Sequence, residues 1–209
     1  MVRSSIRMLY FDLGNVLVRF DPQRACTNVA KLAGCSPSDA HRVIYESGLE
    51  TRYERGDLND PEFANAVCEG LNCRIDTPQL LDAVGRMFEL HAPTVPFVLA
   101  AEHEGLRLGI LSNTCGAHWE WIARQRWGLF AGTFSVHALS YRLGTLKPER
   151  RIYEVAAELA GLEPSEIAFV DDRIENVTAA SEAGWLAVPF HNPWQAAREL
   201  RAAGLRLPM

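Results

Sequence analysis

Three carboxylates, a hydroxyl and an amine occur at points of the 209-residue sequence where a folded chain could bring them together. Asp12 follows a short apolar run, Ser112 follows a second, and the pair Asp171-Asp172 follows a third, while Lys147 precedes a predicted helix. Carboxylates that lie close together repel one another unless a cation sits among them, and Mg²⁺ prefers such oxygen ligands. A lysine and a hydroxyl beside that ion would suit a phosphoryl group, and Asp12 could then act as a nucleophile that forms an aspartyl-phosphate.

Each of these residues alone also has an ordinary structural explanation. Asp12 could cap the next turn, Asp171-Asp172 could cap the helix that follows, and Ser112 could be a turn residue. Lys147 could be a solvated surface lysine. Their combination, in this order and each at a strand end or a helix start, favours a functional site.

Alternating strands and helices are predicted around these residues. Apolar runs at 8–11, 106–111 and 166–170 are bounded by turn signals, as in buried strands, and shorter strands are predicted at 134–139 and 185–190. Strands that alternate with helices form parallel sheets with right-handed crossovers, and their carboxyl ends share one edge. The sequence therefore predicts an α/β fold with a three-layer, Rossmann-like parallel sheet as its core. The helices of this core are predicted at 93–104, 115–125, 148–160 and 174–183, with a last one that ends near 203.

The stretch from 21 to about 90 differs, because it contains no convincing strand. Helix start signals that combine a capping side chain with an early proline occur at Asp21-Pro22, Ser36-Pro37, Asn59-Asp60-Pro61 and Asp76-Thr77-Pro78. Four consecutive helices predict a small helical bundle inserted between two strands. We therefore expect a core domain formed by residues 1–19 and 92–209 and a helical cap domain formed by residues 20–91.

Composition and charge argue against several classes of partner. The net charge of −5 offers no basic face for nucleic acid or anionic lipid, and no stretch has the apolar length of a membrane span. Five cysteines without a Cys-x-x-Cys pair argue against a disulfide framework and against a zinc site. The first residues run into the first predicted strand without a cleavable signal peptide, so we expect a cytoplasmic protein.

Four short motifs, taken in order, resemble those of the haloacid dehalogenase superfamily of hydrolases. They are Phe11-Asp12-Leu13-Gly14-Asn15-Val16, Ile110-Leu111-Ser112-Asn113-Thr114, Leu146-Lys147-Pro148 and Phe169-Val170-Asp171-Asp172, with further matches at Arg151-Ile152-Tyr153 and Asn176. The resemblance covers essentially the whole chain and puts the helical bundle in the place of the family's cap. The opening Asp-Leu-Gly-Asn-Val is similar to that of bacterial phosphatases, one of which acts on glucose 1-phosphate.

The resemblance implies a nucleophile and a metal site. Asp12 would be the nucleophile. Asp12, the main-chain carbonyl of Gly14 and Asp171 would hold Mg²⁺. Asp172 would support the water molecules bound to the metal.

The resemblance also implies a phosphate site. Ser112 and the amide of Asn113 would bind phosphoryl oxygens, and Lys147 would pair the nucleophile with the phosphate. The helical cap would open and close to admit substrate and exclude water, as lids commonly do.

One position departs from the pattern of most phosphatases in the family. They carry a second aspartate two residues after the nucleophile as general acid and base, whereas this chain has Gly14 there. A positioned acid–base group contributes about two to four orders of magnitude in rate. Asp21 and Glu54 are possible replacements from the cap, although a helix cap for Asp21 and a solvated loop carboxylate for Glu54 are the favoured interpretations.

The predicted cap would set substrate specificity, because the core supplies the same chemistry to every substrate. Its cleft could be lined by Arg19, Phe20, Tyr45, Tyr53 and Arg55, for each of which ordinary packing or surface charge is the favoured explanation. A small helical cap suits a compact phosphorylated metabolite, such as a sugar phosphate, better than a macromolecule.

Three hypotheses of function follow. The leading one is a Mg²⁺-dependent phosphomonoesterase. A metal-independent dehalogenase-type hydrolase is the second, because those relatives also lack the second aspartate, although the Asp171-Asp172 pair favours a metal site. The third is a catalytically weak module that binds a phosphorylated metabolite, which Gly14 makes credible.

Overall fold

A parallel sheet forms the centre of residues 6–207, the part of the chain that the computed structural model describes. Its strands are β1 (Met8–Phe11), β4 (Arg107–Ser112), β5 (Val136–Leu139), β6 (Ile167–Asp171) and β7 (Leu186–Pro189), arranged in the order β5-β4-β1-β6-β7. Phe11 at the end of β1 lies between Ile110 of β4 and Val170 of β6. The carboxyl ends of these three strands therefore meet at one edge, and the predicted parallel α/β sheet is confirmed.

The helices lie close to the predicted positions. In chain order they are α1 (Pro22–Ala33), α2 (Pro37–His41), α3 (Leu49–Arg55), α4 (Asp60–Gly70), α5 (Thr77–Gly85), α6 (Val95–His103), α7 (Gly116–Arg124), α8 (Ser140–Leu143), α9 (Arg150–Ala160), α10 (Ile174–Glu182) and α11 (Pro193–Ala202). The predicted helices α6, α7, α9 and α10 begin and end within two residues of their expected bounds, and α11 ends within one residue of the expected position. The short helix α8 was not predicted.

The side chains of β1 alternate between two packed faces of the sheet. Leu9 and Phe11 pack with residues of α6 and α11, whereas Met8 and Tyr10 pack on the other side with residues of α9 and α10. All four side chains are fully buried, which explains why this strand is apolar throughout. Helices therefore cover both faces, and the three-layer architecture expected from the sequence is present.

Helices α1–α5 form an insertion whose buried side chains pack into one hydrophobic cluster with Cys115 and Ala117 at the start of α7. Asp21 caps α1 by accepting from the amide of Gln23, and capping boxes start α2 at Ser36 and α4 at Asn59. The second predicted helix is interrupted, because α2 continues into a π-helix (Arg42–Glu46) before α3 begins. The expectation that Glu54 lies in a loop is wrong, since it belongs to α3.

The prediction that residues 21–90 contain no strand is also wrong. Val18–Phe20 forms β2 and Phe88–Leu90 forms β3, and the two pair antiparallel where the insertion starts and ends. The ring centroids of Phe20 and Phe88 lie 6.1 Å apart across this ribbon. Three-residue strands with partly exposed side chains have too few alternating positions to stand out in a sequence.

The expected bounds of the core domain at residues 1 and 209 fall outside the described residues. No helix within 6–207 is both long enough and apolar enough to cross a membrane. The five cysteines, all in the described part, are free thiols.

We predict that Gly109→Ala destabilises the central sheet. An added Cβ on this β4 residue would come within 2.5 Å of side-chain atoms of Met8 and Tyr10, and the Tyr10 ring is already stacked on Trp185. Such overpacking costs about 1–3 kcal/mol in the free energy of unfolding, which urea denaturation measures. Gly128→Ala is the matched control, because its Cβ would meet nothing within 4 Å. Equal stability of the two variants would contradict the prediction.

Candidate active site

Three aspartates converge at the carboxyl edge of the sheet. Asp12 directly follows β1, Asp171 ends the neighbouring strand β6, and Asp172 comes next. One carboxylate oxygen from each lies within 4.8 Å of the others. Asp171 is fully buried and Asp12 is 7% exposed, so these charges are largely removed from water.

The ammonium of Lys147 is shared by two of these carboxylates. Nζ lies 2.7 Å from Oδ1 of Asp12 and 2.6 Å from Oδ2 of Asp171. Burial works against the charged lysine, but the two carboxylates outweigh it and raise the pKa of Lys147. Burial raises the pKa of Asp12 to about 7, although Lys147 opposes this effect.

The side chain of Asn113 holds the lysine segment in place. Its Nδ2 donates to the carbonyl of Lys147 at 2.9 Å, and its Oδ1 accepts from the Lys147 amide at 2.7 Å. Asn113 follows β4, the other neighbour of β1. Ser112, the last residue of that strand, is 2% exposed and turns its hydroxyl toward the Asn113 carbonyl at 3.2 Å.

The acidic cluster fits a divalent cation. Three carboxylates face a single ammonium group, so two negative charges remain uncompensated when all three acids are ionised. All of the candidate ligand atoms are oxygens, which suits a hard ion such as Mg²⁺.

The two neighbouring aspartates differ in how they are engaged. Both oxygens of Asp171 accept from the side-chain amide of Asn176, Oδ1 also accepts from the amide of Arg173, and Oδ2 also accepts from Lys147. These bonds occupy all four acceptor positions of a carboxylate. Asp172 is half-buried and accepts from the side chain of Asn15 at 2.9 Å, which leaves acceptor capacity for a further ligand. Burial raises the pKa of Asp172.

Phe20 occupies the space beside Gly14. A Cβ added to Gly14 would come within 2.9 Å of an edge carbon of the Phe20 ring. A side chain at position 14 would therefore have to displace this ring.

Two of the five side chains proposed for the cleft border the acidic cluster. Arg19 and Phe20 line a cavity of about 350 Å³ together with Asn15, Asp172 and His91. The guanidinium of Arg19 lies 3.4 Å from Nε2 of His91.

The other three side chains pack or pair at the junction of the insertion and the core. Tyr53 is 2% exposed, which agrees with the ordinary packing that was the favoured explanation for this residue. Its hydroxyl donates to Asp60 at 2.5 Å and accepts from the amide of Ala117 at 3.0 Å. Tyr45 is half-buried, with its hydroxyl 4.0 Å from the sulfur of Met87.

Arg55 makes an ion pair with Glu149, two residues after Lys147. The two contacts measure 2.6 and 3.1 Å, and Thr145 donates to the same carboxylate at 2.9 Å. Nearby, the hydroxyl of Ser140 donates to the carbonyl of Glu54 at 2.6 Å and accepts from the amide of Thr114 at 2.9 Å. The end of α3 is thus attached to the loops that carry Lys147 and Asn113.

A second group of titratable side chains lies beside this junction. One ligand atom each of Glu50, Glu54 and His118 lies within 4.8 Å of the others. Sequence reasoning missed Glu50 and His118, because the group joins α3 to α7 across the insertion and the core. The only signal was the spacing of Glu50 and Glu54, four residues apart on one helix face.

We predict that Arg55→Gln loosens the attachment of the insertion in a pH-dependent way. The hydrogen bonds from Arg55, opposed by slight burial and aided by Thr145, lower the pKa of Glu149 from 4.5 to about 2. The ionised Glu149 carboxylate therefore stabilises the native state fully above about pH 4.5, and this stabilisation is lost as the pH falls through 2. Both side chains are partly exposed, so the variant should lose only about 1 kcal/mol at pH 7.

Urea denaturation between pH 2 and pH 7 measures this difference. Arg150→Gln is the control, because Arg150 pairs with Glu154 on the exposed face of α9 and should change stability by less than about 0.5 kcal/mol. A loss in Arg55→Gln that stays constant down to pH 2 would contradict the explanation.

Comparison with known proteins is consistent with this geometry. The family model of haloacid dehalogenase-like hydrolases matches residues 6–184. The chain is 31% identical over 153 residues to enolase-phosphatase E1 of Nocardia farcinica, covering 66% of the chain and 65% of that relative. It is 25% identical over 186 residues to the D-ribitol-5-phosphate phosphatase of Bacteroides thetaiotaomicron, covering 86% of the chain and 89% of that relative. It spans 36% of the drimenol cyclase drtB of Aspergillus calidoustus, with 25% identity over 201 residues and 93% of the chain covered.

A solved structure shares the fold. It is a haloacid dehalogenase family enzyme from Bacteroides thetaiotaomicron in complex with magnesium and inorganic phosphate, with a TM-score of 0.78 and 25% identity. The match covers 88% of this chain and 93% of that one. With the family model matching most of its length, the chain belongs to the haloacid dehalogenase-like hydrolases.

Proposed function

We propose that this chain hydrolyses phosphate monoesters of small metabolites, with Mg²⁺ bound and through an aspartyl-phosphate on Asp12. The observation that carries the proposal is the Lys147 ammonium, held between Asp12 and Asp171 next to the open carboxylate of Asp172. The phosphatase names of two relatives, and the magnesium and phosphate in a similar structure, support the same reaction class.

Asp12 has one occupied and one available carboxylate oxygen. Oδ1 accepts from the amide of Leu13 at 2.7 Å and faces Lys147. Among the described residues, none donates to Oδ2. Fixing Oδ1 orients the carboxylate, so that Oδ2 would attack phosphorus while the bond from phosphorus to the leaving oxygen breaks.

The metal would be held by Asp12, the main-chain carbonyl of Gly14 and Asp172. This assignment exchanges the roles expected for the two neighbouring aspartates, because Asp171 is saturated by protein donors whereas Asp172 is not. Asp171 would instead keep Lys147 charged and in position. The bound ion would supply positive charge to the phosphoryl oxygens.

Ser112 and the main-chain amide of Asn113 would bind phosphoryl oxygens opposite the metal. Ser112 ends β4, the neighbour of β1, and Asn113 follows it, so both residues lie at the same sheet edge as Asp12. The side chain of Asn113 is already committed to Lys147, which leaves the main chain for phosphate.

We also propose that residues 20–91 act as a cap that selects the leaving group, while residues 1–19 and 92–209 form the catalytic domain. The 350 Å³ cavity beside Asp172, lined in part by Arg19 and Phe20, suits a compact polar group. A sugar or sugar-alcohol phosphate fits this description, and one relative is named for such a substrate.

A weak phosphometabolite-binding module is the second candidate. The observation that favours it is the Phe20 ring against Gly14, which occupies the space that a carboxylate side chain at position 14 would need.

We predict that phosphate release from 4-nitrophenyl phosphate requires Mg²⁺ and Asp12. Removing metal with EDTA should abolish release and added Mg²⁺ should restore it, because the phosphoryl charge then loses its counter-ion. Asp12→Asn should lower kcat by at least about 10³-fold, since an amide is a poor nucleophile. Asp21→Asn makes the same chemical change at a helix cap and should retain activity.

Acid-quenched enzyme incubated with ³²P-labelled substrate should carry the label on wild type and not on Asp12→Asn. Metal-independent chloride release from 2-chloropropionate would point to the dehalogenase instead. Binding of phosphate esters without any release would point to the binding module.

A further inference from the structure

Hydrolysis through an aspartyl-phosphate requires a proton donor and then a proton acceptor. An alkoxide leaves poorly without a proton, and the water that hydrolyses the intermediate must lose one. The groups at the sheet edge are engaged otherwise, since Asp171 is saturated by donors and Lys147 is held as a cation by two carboxylates. The proton must therefore come from another group near Lys147.

Glu54 lies near the end of α3, which is attached to the catalytic loops. Its carbonyl is attached to the Thr114 loop through Ser140, and its neighbour Arg55 is paired with Glu149 beside the lysine segment. The positive charges of Lys147 and Arg173 both act on the Glu54 carboxyl. The main chain of Glu54 is thus held at the junction of α3 and the catalytic loops.

His118 lies next to Glu54. It is 6% exposed, and its ring packs edge-on against Phe88 with the ring centroids 5.1 Å apart. A ring nitrogen of His118 and a carboxylate oxygen of Glu50 lie within 4.8 Å of an oxygen of Glu54. Three titratable side chains that meet where the insertion joins the core indicate a place suited to proton transfer.

We propose that Glu54 is the general acid and base of the phosphatase reaction, supplied by the helical insertion from beside Glu50 and His118. This inference rests on the proposed function. In the first half-reaction Oδ2 of Asp12 bonds to phosphorus, the bond to the leaving oxygen breaks, and Glu54 gives its proton to that oxygen. In the second, water attacks the phosphorus and gives a proton to Glu54, and the bond to Asp12 breaks. The products are the alcohol and inorganic phosphate, and both carboxyl groups return to their starting states.

The electrostatic environment is consistent with this role. Burial raises the pKa of Glu54 to about 7, in spite of the lowering effect of Lys147 and Arg173. An acid with this pKa is populated in both its protonated and its ionised form near neutral pH, as an acid–base catalyst must be.

The charged or titratable groups around Glu54 are Glu50, Tyr45, Cys115, His118, Lys147 and Arg173. Burial raises the pKa of Glu50 to about 8 and lowers that of His118 to about 4, so His118 is neutral at pH 7.

Rapid-mixing kinetics with 4-nitrophenyl phosphate test the proposal. The nitrophenolate leaves without a proton, so Glu54→Gln should release it in a burst approaching one equivalent and then turn over at least about 10²-fold more slowly than wild type, as ³²P-labelled enzyme accumulates. Asp21→Asn is the matched control and should behave as wild type. Turnover of Glu54→Gln within threefold of wild type would overturn the proposal.

If Glu54→Gln shows neither the burst nor the slow turnover that follows it, a second variant still tests the proposal. Glu54→Asp keeps a carboxylic acid. Recovery of the burst with a measurable slow turnover in this variant supports the role, whereas an equally inactive Glu54→Asp overturns it.

Titration with Mn²⁺ should find one ion per chain. A second ion that is lost in His118→Asn would make Glu54 a metal ligand and overturn the proton-transfer role. Absence of labelled enzyme in wild type would instead refute the aspartyl-phosphate itself, irrespective of Glu54.

Discussion

The site depends on one ammonium group shared by two buried carboxylates. Burying an ion costs several kcal/mol, so Lys147 can stay charged in this position only because Asp12 and Asp171 both contact its ammonium group. The adjacency of β1 and β6 places the two aspartates side by side. Asn113, from the strand on the other side of β1, then holds the main chain of Lys147. Three parallel strands and one loop therefore determine the position of the Lys147 ammonium group.

The helical insertion is attached to three segments of the core that flank this site. Tyr53 reaches the amide of Ala117, Ser140 bonds to the carbonyl of Glu54, and Arg55 pairs with Glu149 shortly after the lysine. Any opening of the insertion must break some of these contacts. The Arg55–Glu149 pair is the most exposed of them and so the least costly to separate. The contacts with the catalytic loops therefore fix the position of α3 relative to Lys147.

The glycine after the nucleophile has a steric counterpart in the insertion. Phe20, at the end of β2, fills the space that a side chain at position 14 would need. The ribbon of β2 and β3 holds that ring beside Phe88. In the proposal above, the carboxylate that serves the reaction is instead Glu54 on α3, whose end is attached to the loops that carry Lys147 and Asn113.

Much of this arrangement is evident in the order of residues. Apolar runs that stop at Asp12, Ser112 and Asp171 predict parallel strands with polar ends, because only a doubly covered sheet requires such continuous apolar strands. The helix start signals of the insertion are equally local, since capping acts over three or four residues. These features can be predicted because each depends on neighbours along the chain.

The rest was decided by contacts between distant segments. Which of Asp171 and Asp172 keeps acceptor capacity depends on Asn176 and Lys147, and no spacing along the chain encodes that count of hydrogen bonds. The burial of Tyr53 and the meeting of Glu54 with His118 depend on how α3 packs against α7. By itself, the sequence determined the five strands of the central sheet, most of the helices and the acidic residues at the strand ends. Only the tertiary structure decided which charges are paired and which are open, because burial and pairing arise when segments far apart in sequence exclude water together.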